Sequence, residues 1–82
     1  MTRDRIKEIV IDELVGVSGM GAEAITDDTH LENDLGLDSL DGVEIIMDLE
    51  KSFGISISDD ELTNVKDYTV KDLVNFLETK IS

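Results

Sequence analysis

The chain contains no cysteine and no proline, and its aromatic residues are limited to Phe53, Tyr68 and Phe76. Without cysteine there is no disulfide framework, no thiolate zinc site and no thiol nucleophile. His30 is the single histidine, so a serine nucleophile has one conceivable base, a His30–Ser39 pair; a solvent-facing loop residue is the simpler reading of His30. Nothing else suggests an enzyme. No apolar run approaches the roughly 20 residues that a membrane span needs, and no signal segment with an apolar centre follows Met1, so a cytoplasmic protein is expected. Basic residues are scarce as well: seven Lys and Arg stand against twenty Asp and Glu, for a net charge of -13. Such a surface repels nucleic acid and favours basic or neutral partners.

An acidic chain invites a test for calcium, and an EF-hand needs glycine five residues after a liganding Asp. Gly36, Gly42 and Gly54 would put Leu31, Leu37 and Leu49 at that first liganding position. No metal site is therefore expected beyond weak surface binding of divalent ions.

What is present suffices for a small fold. With 82 residues, 40% apolar and 33% charged, the chain reads as a single domain over residues 1–82, soluble and monomeric. The charge is localised: residues 8–50 carry thirteen acids and no Lys or Arg, and a cationic partner would dock there.

Apolar spacing predicts an all-α bundle of four helices, three main ones and a short third. Ile6, Ile9, Val10 and Leu14 form one face of the first, with Thr2 as N-cap and Gly16 as its end. A long connection follows, anchored by Ile25, Leu31 and Leu35, and inside it Thr29 and Glu32 match a capping box for one helical turn. Asp38 is the expected N-cap of the second helix, Ser39 its first residue, and Gly54 its stop. Ile55-Ser56-Ile57-Ser58 alternates like a strand but has no partner, and reads as an extended loop whose isoleucines plug the core. Ser58 and Glu61 suggest a capping box for the short third helix with Leu62 and Val65. The last helix starts at Thr69 and aligns Val70, Leu73, Val74, Leu77 and Ile81.

The chemically informative segment is Leu35-Gly36-Leu37-Asp38-Ser39-Leu40, which sets a serine hydroxyl at a helix N-terminus. Unpaired N–H groups of the first turn and the positive end of the helix dipole suit a phosphate bonded there. Asp and Ser are also common at such places for capping alone. Around the following helix, Ile45, Ile46, Leu49 and Phe53 share the core sector, while Asp41, Glu44 and Asp48 make an acidic stripe on the opposite side. Between them lie Leu40, Val43 and Met47, with Glu50 on the same flank. This apolar surface is wider than a small bundle can bury, and an apolar ridge bordered by acids has the outline of a docking surface. Gly42 within the helix costs about 1 kcal/mol relative to alanine, a local weakness that stability alone does not favour.

Asn33-Asp34-Leu35-Gly36-Leu37-Asp38-Ser39-Leu40-Asp41, followed by Val43-Glu44-Ile45-Ile46-Met47, resembles the acyl carrier proteins. The likeness continues through Leu49-Glu50-Lys51-Ser52-Phe53-Gly54-Ile55-Ser56-Ile57 and loosely to Thr69–Leu77. It implies that Ser39 carries 4'-phosphopantetheine, transferred from coenzyme A by a phosphopantetheinyl transferase, with acyl chains held as thioesters on its thiol. It further implies that Asp38, Leu40, Asp41, Val43, Glu44, Met47, Asp48 and Glu50 meet basic patches on ketosynthases and other acyl-processing enzymes. The family's bundle shelters acyl chains between its helices. A longer, glycine-rich segment from Val17 to Ile25, Gly42 in the recognition helix, and Ser58 in place of the common proline depart from the family pattern. The implied role is a non-enzymatic carrier in fatty acid biosynthesis. Two alternatives stay open: a specialised carrier for a polyketide or other secondary acyl pathway, and an unmodified acidic helical adaptor for basic partners.

Overall fold

The computed structural model describes residues 1–82 and contains three α-helices and no strand. Helix α1 spans Arg3–Ser18, α2 spans Ser39–Phe53 and α3 spans Val70–Ile81, with single 3-10 turns at Ala22–Ala24 and Val65–Asp67. The all-α bundle is as expected from apolar spacing. No helix is long and apolar enough to cross a membrane.

Helix α1 starts at its Thr2 cap, whose hydroxyl accepts from the Arg5 N–H. It runs past Gly16, the expected end, and stops at Gly19. Gly19 adopts φ 78°, which lets its N–H reach the Val15 carbonyl and close the helix, while Gly16 keeps helical geometry. Asp38 and Gly54 bound α2 as the sequence predicts, and Thr69 caps α3 through a reciprocal pair with Asp72.

The short third helix differs most. Glu61 does accept from the Ser58 N–H at 2.9 Å, but Ser58–Glu61 closes only a turn, and the helical geometry that follows is the 3-10 turn Val65–Asp67. Past this turn the backbone leaves helical geometry, and Glu61 is tied to α3. Asn64 takes the left-handed conformation at φ 54°, and the other Glu61 oxygen is held at 2.6 Å by Lys80 of α3. Leu62 and Val65 are still buried as expected. Thr29 and Glu32 form no capping box either. The Thr29 hydroxyl accepts instead from the Thr26 N–H, and the turn over residues 31–35 is closed by Asp34 accepting from the His30 N–H.

The core joins Ile6, Val10 and Leu14 of α1, Ile45 and Leu49 of α2, and Val70, Leu73, Val74 and Leu77 of α3, with Ile25, Leu31, Leu37 and Ile57 contributed by connections. Leu35 and Ile81 are only partly buried, whereas Leu37 is fully inside. The long connection before α2 is tied to the segment before α3 by backbone bonds. Leu31 N–H donates to the Tyr68 carbonyl, Glu32 N–H to that of Lys66, and Val70 N–H to that of Thr29. These bonds hold the start of α2 in place.

Candidate functional site

Ser39 opens α2 as an exposed residue whose hydroxyl makes no hydrogen bond within the chain. Asp38 before it accepts from the Asp41 N–H at 2.9 Å, and Asp41 in turn accepts from the Asp38 N–H at 3.0 Å. The backbone donors of the first turn hold the Asp38 carboxyl below its ordinary pKa, chiefly that of Asp41. The helix terminus is thus not vacant. An anion on Ser39 would share the positive end of α2 with a carboxylate already seated there.

Beside Ser39 lies an open cleft of about 350 Å³ between α2 and the Val65–Asp67 turn. Val43, Ile46 and Met47 form its α2 side, and Ile57, Leu62 and Val65 face them. The two walls meet at Gly42, where a Cβ would stand 3.4 Å from the Val65 Cβ and 3.8 Å from the Lys66 backbone nitrogen, in ordinary contact with both.

The expected docking residues separate into two groups. Leu40, Val43 and Met47 are 79%, 57% and 52% exposed, an uncovered apolar ridge running from Ser39, and Glu44 is exposed next to it. The other acids have bonds or neighbours inside the chain. Asp38 and Asp41 cap the helix, and Glu50 accepts from the Ile57 N–H at 2.8 Å, pinning the extended loop. Asp48 is half-buried against Glu13 of α1, so it does not simply face solvent. Burial first, then a hydrogen bond with Asp48 and the charges of Asp48 and Glu44, push the Glu13 carboxyl up to about 7. His30 forms no hydrogen bond with Ser39; its Nδ1 accepts from the Asn33 N–H at 3.0 Å.

Glu13 and Lys66 lie outside the motif around Ser39. Glu13 was discoverable, since it lies seven residues after Ile6 and so falls in the middle of the apolar face of α1. Lys66 carried no local signal. It reaches the cleft only because its turn packs on Gly42.

These residues fit a phosphodiester-linked arm: a free, exposed hydroxyl at a helix start, next to a cleft with apolar walls. Comparison with known proteins points the same way. The sequence model described as the phosphopantetheine attachment site matches residues 5–77. An acyl carrier protein of Chloroherpeton thalassium is 42% identical over 80 residues, covering 98% of both chains. One from Phytoplasma australiense is 40% identical over 82 residues and covers both chains completely. Among solved structures, an acyl carrier protein from Enterococcus faecalis superposes with a TM-score of 0.76 at 27% identity, covering 98% of this chain and 99% of that one.

Proposed function

The chain belongs to the acyl carrier protein family, whose cofactor is 4'-phosphopantetheine, and we propose that Ser39 is the attachment site and that the acyl groups carried are those of fatty acid biosynthesis. The observation that supports this most directly is the exposed, unbonded Ser39 hydroxyl at the start of α2. Attachment forms a bond from Ser39 Oγ to the phosphorus of coenzyme A that carries the pantetheine. The pyrophosphate bond breaks, adenosine 3',5'-bisphosphate leaves, and the serine proton passes to the transferase. When bound, the group supplies a terminal thiol on a flexible arm, which holds acyl chains as thioesters and provides the sulfur that a cysteine-free chain lacks.

The chain's own residues then do three things. Asp38 and Asp41 fix the first turn of α2 through their reciprocal bonds, so the Ser39 backbone is held at the exposed helix start. Leu40, Val43 and Met47 offer the apolar part of a docking surface, and Glu44 adds charge that speeds encounter with basic patches on the transferase and on ketosynthases. Asp38, Asp41, Asp48 and Glu50 contribute to the field of that surface while also serving the fold. The cleft offers partial shelter to an acyl chain.

Intact-mass measurement after incubation with coenzyme A and a broad-specificity phosphopantetheinyl transferase tests the attachment. The wild type should gain one phosphopantetheinyl group and Ser39→Ala none, with little change in melting temperature because Asp38 keeps the cap. Modification of the alanine variant would move the site elsewhere. Failure of the wild type, beside a control carrier that is converted, would favour the unmodified adaptor. The acyl species isolated from cells identify the pathway, and a polyketide intermediate would replace fatty acid synthesis.

A further inference from the structure

We propose that Lys66 binds the phosphodiester of the group attached at Ser39 and is the cation that offsets its charge; this rests on Ser39 being the attachment site. The need for such a cation follows from the helix start itself. Asp38 occupies the Asp41 N–H, Asp41 lies in the first turn, and Glu44 follows one turn later, so a further anion enters a strongly negative field. Residues 8–50 contain no Lys or Arg to offset it. A side-chain cation that offsets it comes from outside this stretch.

Lys66 is the one cation among the residues lining the cleft that Ser39 borders. Gly42 stands three positions after Ser39, a little under one helical turn or about 4.5 Å along α2, and the Lys66 backbone nitrogen would lie 3.8 Å from a Cβ at Gly42. The Val65–Asp67 turn packs against this part of α2. From there a flexible four-carbon stem can span one turn towards Ser39.

The ammonium also has capacity. It donates to Glu32 at 3.0 Å and to Asp67 at a long 3.5 Å. An ammonium has three donors, so one is free and the Asp67 contact is easily exchanged. The Lys66 side chain is 29% exposed, open enough to meet an incoming group. The hydrogen bond to Glu32 and the charges of Asp67 and Glu32 raise its pKa, which keeps it cationic. An ammonium suits a phosphodiester because it acts as a point charge and does not require the paired oxygens that an arginine fork matches. Its position at the cleft also steers the first atoms of the arm along α2 and away from bulk solvent.

Phosphorus NMR of the loaded protein, with loading confirmed by intact mass, tests this independently of acyl transfer. The wild-type resonance should shift in Lys66→Met, and Lys66→Arg should restore part of the shift. In the wild type, the Lys66 ammonium signal should move between the unloaded and loaded forms, while those of Lys51 and Lys71 stay in place. Glu32→Gln separates binding from structure, since it removes the ion pair and keeps the ammonium; its phosphorus resonance should stay near that of the wild type. A phosphorus resonance unmoved by Lys66→Met overturns the proposal, as does a Glu32→Gln shift equal to that of Lys66→Met. A wild type that cannot be loaded at all refutes the Ser39 assignment instead.

Discussion

Replacing Gly42 by alanine should make the protein more stable, and the size of the gain follows from two opposed terms. In an α-helix interior the exchange is worth about 1 kcal/mol in backbone propensity. A new methyl group would meet the Val65 Cβ at 3.4 Å and the Lys66 nitrogen at 3.8 Å, which are ordinary contact distances at a position already buried. Burying it adds up to ~0.8 kcal/mol, from which any small displacement of the Val65–Asp67 turn subtracts. The net expectation is a gain of about 1 kcal/mol, or about 4–8 °C in melting temperature for a domain of this size. Urea titration at fixed pH and salt measures it. Leucine at the same site should instead cost about 1–3 kcal/mol, because its outer carbons must enter space held by Val65 and the Lys66 backbone. A loss of stability in Gly42→Ala would refute the reasoning, showing that the two walls of the cleft approach too closely for any side chain.

Two further expectations concern the acids of α1 and α2. The folded state raises the Glu13 pKa from its ordinary 4.5 to about 7, so between these values it holds a proton that the unfolded chain releases. Its contribution is therefore complete below about pH 4.5 and is lost as pH rises through about 7; Glu13→Gln should flatten this part of a melting-temperature profile. Solvent screening at a partly exposed site limits the change to a few degrees, and an unchanged profile would remove Glu13 as the source. Glu44→Lys should slow association with the transferase by about tenfold at low salt, with the deficit shrinking as ionic strength rises, and leave the fold intact. Asp48→Lys should do the same while also stabilising the fold, because a lysine there relieves Glu13. Stopped-flow association and thermal melts across salt concentrations check both variants, and a deficit independent of salt would argue against electrostatic docking.

The sequence by itself determined those features whose causes are local. Asp38 and Thr69 cap because their side chains reach an N–H three residues on, and Gly54 stops α2 because it accepts a left-handed backbone without strain. The exposed ridge of Leu40, Val43 and Met47 was legible because helical periodicity fixes which residues share a face. Tertiary structure decided the rest. Ser58 and Glu61 carry a helix-start pattern, yet only a turn forms there, with Asn64 left-handed beyond it and one Glu61 oxygen tied to Lys80, nineteen residues away. The loop before Ser39 is held by bonds from Leu31 and Glu32 to carbonyls beyond residue 65, which no local pattern announces. Asp48 belongs to an acidic stripe on an isolated wheel, but packing of α1 sets Glu13 against it and changes its surroundings. Gly42 is a defect in a lone helix and a point of close approach in the folded one. The physical division is one of range: caps, stops and amphipathic faces arise from neighbours within a turn or two, whereas charge pairing and backbone bonds between distant segments exist only once the core has brought those segments together.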